Sequence, residues 1–162
     1  LIPLIIISVL LIPFQAAFEE VLFRGYLMQG FTNLVRSRWF PLLMTSISFA
    51  LMHVLNPEVK EFGFRAMMPQ YLLFGLIFGI ITILDDGIEA ALGAHAANNA
   101  FLCIMVTNES SALQTPALYK QMEINPWTDL ASMLVMGIIV IIVLKVIFRW
   151  NDFSVLFRKV NN

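Results

Sequence analysis

The feature that most constrains this chain is a succession of apolar runs, each long enough to cross a bilayer as a helix. A hydrocarbon core of roughly 30 Å requires about 20 mostly apolar residues. In this chain 59% of the residues are hydrophobic and 13% are charged, whereas soluble domains carry about 25% charged residues. The sequence therefore predicts an all-α, multi-pass transmembrane helical bundle, with segments at residues 1–34, 39–55, 66–84, 88–106 and 127–148.

The first segment is too long for one straight span, and Pro13 is expected to kink or break it, because proline removes a hydrogen bond inside a helix. No basic stretch or small-residue cleavage site marks it as a signal peptide. Because the chain begins inside an apolar run without methionine, we expect it to be a fragment of a longer protein. Residues 1–162 are predicted to form a single membrane-embedded domain, with the chemically informative motifs within residues 18–101.

The charge balance and the cysteine count exclude several classes of function. Ten Lys and Arg against 11 Asp and Glu give a net charge of −1, which argues against nucleic acid as a partner. Cys103 is the one cysteine, so neither an internal disulfide nor a Cys/His metal cluster is expected. With five alternating spans, the more basic side is predicted to face the cytoplasm of a cell-membrane protein. That side would carry Arg36, Arg38, Lys145, Arg149, Arg158 and Lys159, and the other would carry Lys60, Arg65 and Lys120.

Several polar side chains stand inside the predicted spans, where ionisable groups are costly and mark function by default. The first segment contributes Glu19, Glu20 and Arg24, and the second and fourth contribute His53 and His95, with Asn99 beside the latter. Facing lipid, these groups would be strongly unfavourable. We therefore expect them to face one another around a shared, partly hydrated cavity.

Helix geometry assigns different tasks to the two adjacent glutamates. Glu20 and Arg24 are four residues apart, so they lie on one face and can form an ion pair. Glu19 is rotated by roughly 100° from Glu20 and has no basic residue at the same spacing. Glu19 is thus the carboxylate that is free to act as a general base.

The remaining polar groups complete a set suited to hydrolysis by activated water. His53 shares a helix face with Phe49, and His95 shares one with Asn99, because each pair is four residues apart. Imidazole and carboxamide groups can donate hydrogen bonds to a developing oxyanion. We find no serine suited to be a nucleophile, because Ser46 and Ser48 are expected to bond backbone carbonyls within their own helix.

Smaller features carry structural expectations. Gly75 and Gly79 are four residues apart and predict a close contact between helices. Asn98 is expected to point away from the face that carries His95. The acidic residues that precede and begin the fourth span are expected to cap that helix and to lie in water; they are Asp85, Asp86 and Glu89.

Three motifs in these segments resemble those of the CPBP family of intramembrane proteases, which includes the type II CAAX prenyl endopeptidases and the bacterial Abi proteins. Residues 19–25 read EEVLFRG and are similar to the family's EExxxR motif, which is usually followed by glycine. Residues 49–53 read FALMH and match FxxxH, and residues 95–99 read HAANN and match HxxxN. Each motif alone is weak, but all three in order on predicted membrane helices are a strong signal.

The resemblance implies an intramembrane endopeptidase with a peptide or membrane-protein substrate in the lipid bilayer. It implies that Glu19 activates water together with His53, and that His95 and Asn99 bind the oxyanion. Glu20 and Arg24, with Phe49 packed nearby, would support the site or contact the substrate. The prenylated CAAX tail does not carry over, because the motifs describe the cleavage machinery rather than the substrate pocket.

Two alternatives remain open from the sequence. The family is often described as metalloproteases, and a zinc ion held by Glu and His is one possibility. There is no HExxH motif, however, and no local metal-ligand spacing, so we expect a glutamate-type mechanism that requires no cofactor. The second alternative is a non-catalytic membrane protein of the same family, such as a bacteriocin self-immunity protein or a scaffold.

Overall fold

Helices account for nearly all of the regular structure in residues 1–160, the part of the chain that a computed structural model describes. The first long helix consists of α1 (Ile2–Glu20), a π-helical segment (Val21–Leu27) and α2 (Met28–Leu34). Next come α3 (Trp39–Met52), α4 (Pro57–Phe62), α5 (Phe64–Asp85) and α6 (Glu89–Met105). The chain continues through β1 (Val106–Thr107), β2 (Tyr119–Lys120), α7 (Pro126–Phe148) and a 3₁₀ turn (Phe153–Phe157).

All five predicted membrane segments are helical, but they differ in how well they could cross a bilayer. Three are long and apolar enough to do so: Ile2–Leu34, Phe64–Asp85 and Pro126–Phe148. Helix α3 is apolar but has only 14 residues, and α6 has 17 residues and carries the HAANN motif. Large apolar side chains such as Leu10 and Ile138 are more than half exposed, as lipid-facing residues are. The prediction of an all-α, multi-pass membrane bundle is confirmed.

The predicted break at Pro13 does not occur. Helix α1 runs through Pro13, and the departure from α geometry comes later, over Val21–Leu27. This π-helical segment starts directly after Glu20 and contains Arg24. The helix geometry therefore changes at the point where polar side chains enter the bundle. Such wider turns are rare and are frequent at functional sites.

Helices α3 and α5 pack with their backbones close together, as the glycine pair predicted. A Cβ atom at Gly75 would lie 2.8 Å from the Cα of Ser46, and one at Gly79 would collide with the Leu42 side chain. The hydroxyl of Ser46 donates to the Leu42 carbonyl at 2.7 Å, and that of Ser48 donates to the Met44 carbonyl at 2.9 Å. These serines bond within their own helix as expected, which allows a polar residue to lie in the α3–α5 contact.

Substituting alanine at Gly75 should therefore strain this contact. The new methyl group meets backbone rather than a flexible side chain, and overpacking of this kind costs roughly 1–3 kcal/mol. We expect Gly75→Ala to lower the unfolding free energy by about that amount in a detergent or SDS titration. Gly93→Ala in α6 is the matched control, because nothing lies within 4 Å of its added Cβ, and it should be neutral or stabilising. Equal stability of the two variants would contradict the proposed contact.

Helix α7 packs on α5 and leaves most of its own surface exposed. Gly137 is its one buried residue, and it lies against the side chain of Ile77. After α7 the chain turns at Trp150, whose indole Nε1 donates to an Asp85 carboxylate oxygen at 3.0 Å. Asp85 thus bonds Trp150 and does not cap α6, which begins after Ile88 with no side-chain capping bond. The prediction of a side-chain cap was therefore wrong, and for Asp85 the reason is the tertiary contact with Trp150. Asp86 and Glu89 are exposed as expected, and Glu89 lies in the first turn of α6.

Several basic residues that the alternating segments predicted on one side of the membrane lie near one another in the structure. At one end the amide of Val160 donates to the Arg36 carbonyl at 3.3 Å. A cavity of about 400 Å³ there is lined by Arg38, Arg149 and Arg158, among others. At the other end β1 pairs in parallel with β2, and a hydrogen bond from Lys120 lowers the pKa of Glu109 below its usual value. Which end faces the cytoplasm stays a prediction.

Candidate active site

A cavity of about 830 Å³ lies between the helices, and its lining extends to Val106 in β1 and to Ser111 in the loop before β2. Five of the predicted site residues line it: Glu19, Phe49, His53, His95 and Asn99. Glu20 and Arg24 are more deeply buried, behind the cavity wall, with 0% and 2% of their surface exposed. The structure therefore brings polar groups from α1, α3 and α6 together.

Behind the wall, Glu20 is the centre of a buried polar cluster. Its Oε1 accepts hydrogen bonds from Arg24 Nη1 at 2.9 Å and faces His95 Nδ1 at 2.7 Å. Arg24 also donates from Nη2 to the carbonyl of Gly75 in α5 at 3.0 Å. One carboxylate and one guanidinium thus connect the first long helix to α5 and α6.

Aromatic rings enclose this cluster and exclude water from it. The guanidinium carbon of Arg24 lies 4.8 Å from the ring centre of Phe49, and the His95 ring stacks on Phe78 at 4.8 Å. Phe49 itself is 1% exposed and also meets the Phe23 ring edge-on at 5.3 Å. Charges buried this deeply are tolerated when they are paired. Glu20 and Arg24 therefore depend on each other, and the pair has a structural role.

Glu19 has a different environment from its neighbour, on the cavity side of the wall. Its Oε1 accepts a short hydrogen bond from Gln15 Nε2. Its Oε2 lies 3.7 Å from His95 Nε2 and is buried without a hydrogen-bond partner among residues 1–160. A buried carboxylate oxygen of this kind requires a donor, so there is a chemical reason for water or a substrate group to bind here.

Asn99 lies at the rim of the same site, where it is joined to Glu19 through Gln15. Its Nδ2 donates to Gln15 Oε1 at 3.1 Å, and its Oδ1 accepts from Asn98 at 3.1 Å. Asn98 lines the cavity, so the expectation that it points away was wrong. Our sequence reasoning missed Gln15, although its position four residues before Glu19 places both on one face of α1.

His53 lies on a different part of the cavity wall from His95. Its Nδ1 is 2.8 Å from the Phe49 carbonyl, four residues earlier. Within the described chain, His95 is the one imidazole within 4.0 Å of a Glu19 oxygen. The partnership of Glu19 with His53 therefore stays a prediction, and direct contact with Glu19 belongs to His95.

The donor set does not fit a zinc ion. In the part of the chain that the structure describes, no three His, Cys, Asp or Glu side chains are grouped to hold a metal. Glu20 Oε1 is already bonded by Arg24 and by His95 Nδ1, and zinc sites require ligand atoms with free lone pairs at about 2.0–2.2 Å. The metal-free mechanism stays a prediction.

Comparison with known proteins identifies the family of this chain. A family model described as type II CAAX prenyl endopeptidase Rce1-like matches residues 1–101, more than half of the chain and including all three motifs. The chain belongs to the Rce1-like family. The suspected resemblance is thereby confirmed, and the protein is a multi-pass membrane protein of a protease family.

One curated relative of this Rce1-like chain is a protein of Bacillus subtilis strain 168 that bears the name uncharacterized protein YyaK. The two are 38% identical over 120 residues, which cover 74% of this chain and 40% of YyaK. The chain thus corresponds to less than half of that relative's length. No solved structure matches the chain.

Proposed function

We propose that this chain is an intramembrane endopeptidase in which Glu19 activates a water molecule to hydrolyse a peptide bond. One observation carries the proposal. The Oε2 of Glu19 is buried without a partner, at the edge of a cavity and 3.7 Å from His95 Nε2. Membership of a protease family supports the same reading.

Glu19 is suited to be the base because its two oxygens are occupied differently. Gln15 holds Oε1 and so orients the carboxylate, which leaves Oε2 to accept a hydrogen bond from water. As the water oxygen attacks the substrate carbonyl carbon, its proton passes to Oε2. The protonated carboxyl then returns that proton to the nitrogen of the leaving amine, as general acid–base catalysis requires.

Stabilisation of the oxyanion is assigned to Asn99 and His95. Asn99 Nδ2 has two hydrogens, and Gln15 takes one of them. Glu20 accepts from His95 Nδ1, so His95 can donate from Nε2 when its ring carries both protons. Glu20 thus orients His95 through Nδ1 without contacting the substrate.

A solvent-isotope experiment tests the proposed attack by water. The chain is reconstituted in phosphatidylcholine and phosphatidylglycerol vesicles with a library of membrane-inserted peptides, and products are analysed by mass spectrometry. In water enriched with oxygen-18, we expect each new carboxyl terminus to carry one labelled oxygen after a single turnover. Products without label would contradict direct attack by water, and absence of any cleavage would contradict the proposed activity.

The same assay separates the glutamate mechanism from a metal mechanism. We propose that no metal takes part, so a chelator should leave the cleavage rate unchanged, and elemental analysis of the purified protein should find no stoichiometric zinc. A rate that falls with chelator and recovers with added zinc would contradict the metal-free mechanism while leaving the peptidase activity established.

A further inference from the structure

A second group of polar side chains lines the same cavity and lies outside the three sequence motifs. It comprises Asn56, Glu58 and Tyr71, which come from the α3–α4 turn, α4 and α5, and of which Tyr71 contacts His53. Asn56, Glu58 and Tyr71 belong to no motif that the sequence reveals. We call these three residues the His53 clamp.

His53 is held at one edge of its ring by the backbone. Its Nδ1 lies 2.8 Å from the Phe49 carbonyl oxygen, and a carbonyl oxygen accepts hydrogen bonds but cannot donate them. Nδ1 must therefore carry the ring hydrogen. In the neutral ring this leaves the lone pair on Nε2, and no other hydrogen bond to this imidazole forms within residues 1–160.

Two aromatic rings hold the faces of the imidazole. The Tyr71 ring is stacked on it with centres 4.5 Å apart and planes at 22°, and the Phe49 ring lies 4.5 Å away at 38°. Stacking fixes the plane of the imidazole, because a partial rotation about its χ2 torsion would lose the contact. In this plane Nδ1 reaches the Phe49 carbonyl, which selects the ring orientation.

Tyr71 is in turn fixed through its hydroxyl group. The hydroxyl donates a short hydrogen bond to Glu58 and accepts one from Asn56 Nδ2 at 2.9 Å. Asn56 Nδ2 also lies 3.4 Å from Glu58 Oε1, so the three groups bond one another. Both the ring and the hydroxyl of Tyr71 are therefore restrained, and it can act as a rigid support.

We propose that Tyr71, anchored by Asn56 and Glu58, is a positioning residue that holds His53 in the Nδ1–H tautomer with Nε2 free as an acceptor. The catalytic value of this arrangement rests on the proposed function, because a free Nε2 can accept a hydrogen bond from the attacking water and orient it while Glu19 takes the proton. The tautomer itself does not depend on catalysis. It can therefore be tested without a substrate.

The test is ¹⁵N NMR of histidine-labelled protein in lipid nanodiscs, above the ordinary imidazole pKa of about 6.5. The chain has two histidines, so the signals of His53 are those that His53→Gln removes. We expect wild-type His53 to show a protonated Nδ1 and an unprotonated Nε2. In Tyr71→Leu the ratio of the Nδ1–H to the Nε2–H form should fall about fivefold, the equilibrium change for one ordinary hydrogen bond.

Two further variants make the test selective. Tyr71→Phe keeps the stacked ring and loses only the hydroxyl anchor, so it should lower the ratio less than Tyr71→Leu does, which a general packing defect at this position would not predict. Tyr26→Leu is the matched control, because Tyr26 is 74% exposed and does not line the cavity, and it should leave the His53 signals unchanged. If Tyr71→Leu does not fold, Glu58→Ala, which frees the hydroxyl, should lower the ratio in the same direction.

Cleavage kinetics provide the catalytic readout. In Tyr71→Leu we expect kcat to fall about 10–100-fold, at the lower end of general acid–base effects, with KM changed less than threefold. Unchanged His53 signals in both Tyr71→Leu and Glu58→Ala would overturn the proposal. A shifted tautomer in a protein whose wild type cleaves nothing would uphold the clamp and contradict the proposed function, so the two failures are distinguishable.

Discussion

Replacing Glu19 with glutamine is expected to lower peptide cleavage by roughly 10³-fold, within the range that a general base contributes. The substitution retains the shape of the side chain and an oxygen that can accept from Gln15. It removes the lone pair and negative charge that take the proton from water. The measurement is single-turnover cleavage of a membrane-inserted peptide in vesicles, with the fold monitored by circular dichroism and thermal melting.

Glu61→Gln is the matched control, because it makes the same chemical change on an exposed side chain of α4. It should cleave at the wild-type rate. If Glu19→Gln also cleaves at that rate, Glu19 is not the base. If neither wild type nor variant cleaves while both confer the same cellular phenotype, the non-catalytic role as an immunity protein or scaffold gains support.

The sequence was sufficient to predict the fold class and a cavity lined by polar side chains from three helices. Glu20 and Arg24, which were expected to face that cavity, do not line it. Apolar runs of membrane length can satisfy their backbone groups in lipid only as helices or closed barrels. Runs this long fit a spanning helix and are too long for a barrel strand. Polar groups in three such helices must then avoid lipid, which places Glu19, His53 and His95 inward. The sequence pattern alone supports these two predictions, because both depend on the surrounding lipid rather than on how the helices pack.

The contacts between helices could not be predicted in the same way. Glu20 and His95 are 75 residues apart, and Arg24 and Gly75 are 51 apart. Their pairing depends on the rotation of each helix and on the π-helical segment, neither of which has a periodic signature. The family resemblance implied that His53 acts together with Glu19, whereas the imidazole nearest to Glu19 in the structure is that of His95.

The His53 clamp shows a second limit of sequence patterns. Tyr71 and Glu58 are 13 residues apart on different helices, and each is an ordinary residue for a span end near the membrane surface. Nothing about either residue alone distinguishes a bonded pair from two solvent-facing side chains. Gln15 differs, because its four-residue spacing from Glu19 is visible in the sequence.

Removing the charge of Arg24 should have the largest effect on stability. Arg24→Leu leaves the Glu20 carboxylate buried without its guanidinium partner and also removes the bond to the Gly75 carbonyl. Breaking one partner of a buried pair costs about 3–5 kcal/mol. We expect Arg24→Leu to lower the unfolding free energy by that amount in an SDS titration. Arg158→Leu is the control, because its pair with Asp152 is exposed, and its stability should stay close to wild type.

The double variant Glu20→Leu/Arg24→Leu tests the reason for that loss. If the loss comes mainly from stranding a buried charge, removing Glu20 as well should recover part of the stability, because an apolar pair of similar volume is tolerated in such positions. Cleavage should stay low even so, since His95 loses the carboxylate that holds its Nδ1. A double variant less stable than Arg24→Leu would mean instead that Glu20 stabilises the bundle chiefly through His95. Stability and activity would then depend on the same hydrogen bond.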